Sequence, residues 1–205
     1  MDRQTPGTDA DNPSVKAHDV DHSYLQSQLL IAMPGMNDPY FDHTVTLICQ
    51  HNEDGCFGLT INRPIQVTLE ELFEQLEIPT ENSTVKGVHA LRGGPVQAEQ
   101  GFVIHDNSKQ WENTIAINDA IAVTASRDIL YDIAKGEGPE NFLLTLGCAS
   151  WAPGQMEAEI INNAWLNCDV DSSILFNTPY EKRWHNAVDR LGIDINFMSD
   201  VAGHD

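Results

Sequence analysis

The stretch Asn141–Trp165, NFLLTLGCASWAPGQMEAEIINNAW, constrains this chain more than any other. Phe142, Leu143, Leu144 and Leu146 form a short apolar run with the length of a strand buried on both faces. Gly147 is expected to end it. Pro153 suits the first turn of a following helix, where a missing N–H costs nothing. Glu157 and Glu159 then fall in the opening turns, where the helix dipole favours negative charge. Met156, Ile160 and Ala164 recur every four residues and make an inward stripe.

The flanking segments add further strands and helices. Gln28–Met33 gives an apolar strand stopped by Pro34-Gly35. Thr44–Gln50 and Phe57–Asn62 are rich in β-branched and aromatic residues around Asp54-Gly55, which predicts a hairpin. Cys49 and Cys56 sit near its inner ends, either as two small core side chains or as a facing pair. Thr68 and Glu71 spell a capping box ahead of Leu69, Leu72, Phe73 and Leu76 at helical spacing. Val88–Leu91, Gly101–His105, Thr114–Ile117 and Ala120–Thr124 read as short strands, and Arg92-Gly93-Gly94-Pro95 as a turn. Ser126 is placed as the cap of a helix that buries Ile129, Leu130, Ile133 and Ala134 and stops at Gly136. Ser173–Phe176 reads as a strand. Thr178, Pro179 and Glu181 signal a last helix with the stripe Trp184, Val188 and Leu191, ended by Gly192. Asp194–Met198 reads as an edge strand. The sum is one α+β domain over 23–205, preceded by a disordered acidic tail over 1–22 whose Pro, Asp, Ser and Asn content opposes a packed core.

Charge narrows the partners. The 205 residues hold 31 acidic and 11 basic side chains, a formal net charge of −20. Five acidic and two basic residues in Met1–His22 account for −3 of this, leaving −17 on the rest. Such a surface repels nucleic-acid phosphates and anionic lipid, so neither direct nucleic-acid binding nor membrane docking is expected. No segment approaches the ~20 apolar residues of a membrane span, and the start lacks the basic flank and apolar core of a signal peptide. The four cysteines, none in a CxxC pair, are then expected as reduced thiols in the cytosol.

Neither GxGxxG nor GxxxxGK[ST] occurs, and no HExxH or EF-hand loop, so no cofactor and no metal are expected. Gly147-Cys148-Ala149-Ser150-Trp151 lacks the GxSxG spacing of a nucleophile elbow, yet it sets a thiol and a hydroxyl between a strand and a helix start. Cys148 has two readings: a core side chain, or a thiol activated at the helix terminus with His43, His51, His89 or His105 as base. Gln155, Glu159 and Asn163, four apart, share one helix face, which is either solvated surface or the wall of a cleft. The candidate ligand-binding set is Arg63, Arg92, Gly93, Gly94, Arg127, Ser150, Trp151, Gln155, Glu159 and Asn163. No catalytic residue is assigned.

In these motifs the chain resembles the AlgH/YqgE family of small bacterial proteins. The likeness runs from about Leu29 to the C-terminus and excludes only the tail. It rests on Leu30–Pro34, Asp38-Pro39 with Phe41, His51-Asn52, Gly58 and Asn62-Arg63-Pro64. Gly93-Gly94-Pro95, Gly101-Phe102 with His105, and Ser126-Arg127-Asp128 continue it. Ala149-Ser150-Trp151, Gly154-Gln155, Glu157, Glu159, Asn163, Trp165, Leu175-Phe176, Arg183-Trp184 and Ala202-Gly203-His204 complete it. The resemblance implies a single α+β domain with a curved, partly barrel-like mixed sheet flanked by helices. It implies no catalytic residue, and the label of transcriptional regulator used for some members is tied to alginate production. This chain departs at Cys148, where members commonly carry Tyr, and at Cys56, where a small residue such as Ala is usual. The favoured expectation is a non-enzymatic binding or regulatory protein acting through a protein or small-molecule partner. The alternative is an enzyme or anion-binding site at the Gly147–Gln155 turn. Direct DNA regulation is a third reading, opposed by the charge.

Overall fold

In a computed structural model, residues 25–193 are described here. The expected tail over 1–22 and the expected edge strand Asp194–Met198 lie outside them. The chain opens with strands β1 (Gln28–Ala32), β2 (Val45–Asn52), β3 (Gly55–Thr60) and β4 (Pro64–Thr68), then helix α1 (Leu69–Gln75). Strands β5 (His89–Arg92), β6 (Val96–Asp106), β7 (Thr114–Ala116) and β8 (Ile121–Thr124) lead to helix α2 (Asp128–Lys135). Strand β9 (Phe142–Trp151), helix α3 (Gln155–Ile161), strand β10 (Trp165–Asp169) and helix α4 (Tyr180–Arg190) complete the described part. Eight strands form the path β10-β1-β2-β3-β9-β6-β8-β7, and β5 joins it through a parallel pairing with β9 while holding β4 on its other side. The domain is a single α+β unit with a curled, half-barrel sheet and helices around it.

Three apolar clusters follow from the pleat. Leu29 and Ile31 of β1 point into one, Leu30 and Ala32 into another, and all four are fully buried. That is why this strand reads as an unbroken apolar run rather than an alternating one. The largest cluster joins Cys168 of β10 with Val123 of β8, strands far apart along the path, so it fills the inside of the curl. Helix α4 closes it with Trp184, Ala187 and Val188. The second cluster packs α1 and α2 on the outer face of β6 and β9, through Phe73, Ile129, Ile133, Val103 and Leu144. The third lies under α3 and gathers Met156, Trp151 and Trp165.

The central strand differs from its expected form. Gly147 does not end it: β9 runs on to Trp151, and its far half pairs with β3, Ser150 opposite Phe57. Gly147 takes φ +74°, in the left-handed region where glycine alone is comfortable. That turn resets the pleat. Leu143 and Cys148 both face the inner cluster, although strict alternation would put them on opposite faces. Gly93 and Gly94 press on this bend with bare backbone. A Cβ on Gly93 would lie 2.1 Å from the Gly147 carbonyl oxygen, and one on Gly94 2.2 Å from the Cys148 carbonyl. The Gly93 N–H donates to the Leu146 carbonyl at 2.8 Å, and its own carbonyl accepts from Thr60 N–H at 2.8 Å. The Arg92–Pro95 turn is therefore a clasp.

Several local expectations hold in detail. The capping box forms, with Thr68 N–H donating to Glu71 at 2.8 Å and Glu71 N–H to Thr68 Oγ1 at 3.3 Å. Helix α2 buries Ile129, Leu130, Ile133 and Ala134 and stops at left-handed Gly136. The hairpin forms, but its two-residue connection is Glu53-Asp54 and a bulge falls at Cys49. Cys49 and Cys56 consequently sit in different clusters, on opposite faces.

Others need correction. Ser126 does not cap α2; its hydroxyl bonds the Glu112 carbonyl and the Asp128 carboxylate. Ser173–Phe176 is not a strand. Ser173–Asn177 is a single wide helical turn, and its adjacent Ile174 and Leu175 bury in one cluster, which an alternating strand forbids. That turn leaves Thr178 outside α4, its hydroxyl donating to the Ser173 carbonyl at 3.0 Å, and Pro179 precedes the helix instead. Helix α3 ends at Ile161, so Asn163 and Trp165 lie beyond it. Asn163 takes φ +54° and closes the helix: its N–H donates to Ile160 O and that of Ala164 to Glu159 O, both at 2.9 Å.

Arg183 is 4% exposed and holds α4 in place. Its guanidinium donates to the Ile61 carbonyl and, at 3.0 Å through Nε, to the Thr178 carbonyl. Burial, only partly offset by Glu181, pulls its pKa down to about 10. Beside it the Trp184 indole donates to Ala32 O at 2.9 Å.

Substitutions at three positions test this frame. Gly94→Ala should cost on the order of 3 kcal/mol in urea unfolding, because backbone must move to admit the methyl. Gly101→Ala should be neutral or slightly stabilising, since a Cβ there meets only side-chain carbons at 3.9 and 4.0 Å. Arg183→Ala should cost about 3 kcal/mol by stranding the buried Ile61 carbonyl and the half-buried Thr178 carbonyl, with Arg183→Lys recovering part of it; equal midpoints for Arg183→Ala and the parent chain would refute the clamp.

Candidate functional site

Part of the predicted site set comes together as a brace. Glu159 Oε2 accepts from the indole N–H of Trp151 at 3.0 Å and of Trp165 at 2.8 Å, while Oε1 accepts from the Gln155 amide at 2.8 Å. Gln155 Oε1 in turn accepts from Ala152 N–H at 3.0 Å. Phe41 stacks on Trp151 at 5.8 Å and meets Trp165 edge-on at 5.3 Å. Both indoles are buried. Their N–H groups need a partner there, and one carboxylate serves both. Asn163 lies past the helix end and does not share this face.

Arg63 and Arg92 are neighbours through backbone: Arg92 N–H donates to Arg63 O at 2.7 Å. The Arg63 guanidinium donates to the Asp42 carbonyl and ties down the loop before β2. Gly93 and Gly94 clasp the β9 bend, as described above.

The turn weighed as a nucleophile site is divided by the pleat. Cys148 points into the inner cluster, whereas Ser150 is exposed. Burial raises the Cys148 pKa, so the sulfur is a thiol at neutral pH. Burial, helped by Glu157 and Glu159, pushes Cys56 up to about 12. The histidines considered as bases have other roles. His43 packs on Trp184 with ring centres 4.6 Å apart. His51 Nδ1 accepts from Leu25 N–H at 3.0 Å, which leaves Nε2 to donate to Glu157 at 3.0 Å. His89 Nδ1 donates to the Ile65 carbonyl at 3.0 Å. His105 Nδ1 donates to the Asp106 carbonyl at 2.7 Å, and Nε2 accepts from Thr124 at 2.8 Å. Among the described residues no group of His, Cys, Asp and Glu could hold a metal ion.

Arg127 lies elsewhere, at the mouth of a hollow of about 230 Å³ between α1, α2 and the outer face of β6 and β9. Val103, Leu144 and Leu146 make its floor, and Leu72, Leu76 and Leu130 its walls. The capping box aims Leu72 and Leu76 inward; the β9 pleat does the same for Leu144 and Leu146. Gly101 leaves the space open. Its φ is not left-handed, and a Cβ would point at Leu146 and Leu144 without clashing. The backbone thus does not require glycine there, and the absent side chain leaves the hollow its room. Glu99 shares the rim, carried there by a bulge in β6 between Val96 and Gly101. The connection that presents Arg127 is fixed by Asp128, which accepts from Glu112 N–H at 2.9 Å and Ile129 N–H at 3.0 Å. Burial works against the Asp128 charge, but its bonds from Ser126, Glu112 and Ile129 outweigh it and lower the pKa. Arg127 itself spends one long bond, 3.4 Å, on the Leu76 carbonyl at the negative end of α1.

Of the predicted set, then, only Arg127 lines this hollow, and Glu99 and Gly101 as its companions were not legible in the sequence. The leucines were legible as core stripes. That two stripes would leave a gap between them depends on how far apart α1 and α2 sit. A larger depression of about 460 Å³ beside Asn82 and Glu140 is less promising, because Asn82 is committed to the Ile133 carbonyl at 2.7 Å and to Thr84.

Comparison with known proteins agrees with the fold and the motifs. The AlgH-like family model matches residues 29–196. A UPF0301 protein of Methylococcus capsulatus is 44% identical over 181 residues, covering 88% of this chain and 96% of that protein. One from Xanthomonas campestris is 44% identical over 180 residues with the same coverage. The solution structure of AlgH from Pseudomonas aeruginosa superposes with a TM-score of 0.73 at 40% identity, covering 97% of this chain and all of that one. A crystal structure of a Corynebacterium diphtheriae protein, DIP2367, reaches a TM-score of 0.69 at 20% identity over 97% and 94% of the two chains, a likeness of fold alone. With the clasped bend, the curled sheet and the matched length together, this chain belongs to the AlgH-like family.

Proposed function

We propose that this chain is a non-enzymatic binding protein, and that it takes a small, largely apolar molecule in the hollow between α1, α2 and the outer sheet face. The observation that supports this best is Gly101. Within the ladder of β6 a glycine weakens the strand, and nothing in its backbone angles calls for one. What its missing side chain provides is room over an apolar floor, with a cation at the edge to orient a ligand. The volume suits a single ring or a short branched chain, since a cavity of about 150 Å³ already admits benzene. The chemistry at the β9 bend favours the same reading: the sulfur there is buried and protonated, and the histidines weighed as its base are engaged elsewhere. No helix among the described residues is long and apolar enough to cross a membrane.

Two measurements test this reading. Titrated with 2-phenylethanol, the protein should show amide shifts concentrated at Gly101, Leu130, Leu144 and Leu146, and Gly101→Leu should abolish them; shifts spread over the surface, or unchanged in the variant, would sink it. Thiol reactivity gives the second. Burial raises the folded pKa of all four cysteines above the unfolded value. The stability they contribute is therefore intact below about pH 8.5 and is lost as pH rises toward the folded values. Native protein should resist a disulfide reagent at pH 7 and lose stability as the pH rises above about 8.5; a Cys148 that reacts at pH 7 like a free thiol would restore the nucleophile.

A further inference from the structure

Resting on that reading of the hollow, we infer that its ligand is a zwitterion: an apolar α-amino acid between leucine and phenylalanine in size. The first ground is the pairing of charges on the rim. Arg127 and Glu99 both line the mouth of the hollow, and among the described residues neither takes part in an ion pair. A guanidinium carries five N–H donors, and Arg127 uses one, at 3.4 Å, on Leu76 O. The remaining donors suit a carboxylate, which a guanidinium binds through two parallel bonds. Glu99 supplies the acceptor for an ammonium.

The second ground is the field of the whole molecule. A formal charge of −20 opposes the approach of a simple organic anion, even toward an arginine. A zwitterion carries no net charge and meets no such barrier, yet still presents the carboxylate that Arg127 can bind. The third ground is shape. The charged groups of an α-amino acid flank one carbon, from which a single side chain projects. The rim has one cation and one anion over one apolar well. Val103, Leu144 and Leu146 make an apolar floor, and the polar side chains that also line the hollow are engaged, Gln100 with the Gly101 carbonyl, Thr124 with His105 and Ser126 with Asp128, so a polar amino acid side chain is disfavoured by the cost of burying an unpartnered group.

The experiment uses the full chain and four probes with one ring in common: L-phenylalanine, 3-phenylpropionate, 2-phenylethylamine and 2-phenylethanol. Binding is followed by amide chemical shifts and by thermal unfolding. L-phenylalanine should bind at least about tenfold more tightly than each of the other three. Arg127→Gln should erase its advantage over the amine, and Glu99→Gln its advantage over the carboxylate. Gly101→Leu should remove all binding, with Gly101→Ala as the variant that keeps the fold and narrows the well. If the four probes bind equally and Gly101→Leu still blocks them, the hollow is a binding site but the zwitterion is wrong. If no probe binds at about 10 mM, both readings fall.

Discussion

The structure depends on one close approach of main chain to main chain. Gly93 and Gly94 lie against the carbonyls of Gly147 and Cys148 at a distance no side chain would permit. The contact fastens the end of β5 to the middle of β9 and lets β9 change direction there. Because β9 pairs with β6 along one edge and with β5 and then β3 along the other, its bend makes the sheet curl. The glycines are there for space, and at Gly147 also for a left-handed φ.

The bend has consequences for packing on both faces. Before it, Leu144 faces the α1–α2 layer and Leu143 the inside of the curl; after it, Cys148 faces inside and Trp151 the α3 layer. One strand thus feeds three apolar clusters. The bulge in β6 nests against the same point, with the Val96 carbonyl 3.0 Å from where a Gly147 Cβ would stand. That bulge puts Glu99 on the rim of the hollow. The candidate site is therefore a by-product of how the sheet turns, and no single motif encodes it.

Polar chemistry that looked functional in one dimension is largely spent on holding elements together. Glu159 satisfies two buried indoles, Arg183 the Ile61 and Thr178 carbonyls, and Arg63 a loop carbonyl. These are costly groups to leave unpaired, which is reason enough for their presence. Arg127 differs, because among the described residues only one long bond engages it, in a place where apolar walls surround an open space.

What the sequence determined by itself was local. Side-chain spacing placed α1, α2 and the hairpin, because periodicity, capping and turn chemistry act over a few residues. The apolar run of Ser173–Phe176 was ambiguous at that range, since four residues fit a strand or a turn of helix equally well. Gly147 as a stop and Asn163 as a helix residue were misplaced for a related reason: a positive φ can end an element or redirect one, and only neighbours decide which. The tertiary structure decided the rest. It alone brought Gly93-Gly94 onto Gly147, separated Cys49 from Cys56, and set Arg127, Glu99 and Gly101 around one well. These outcomes rest on contacts between segments far apart in the chain, where the energy of packing outweighs any local preference.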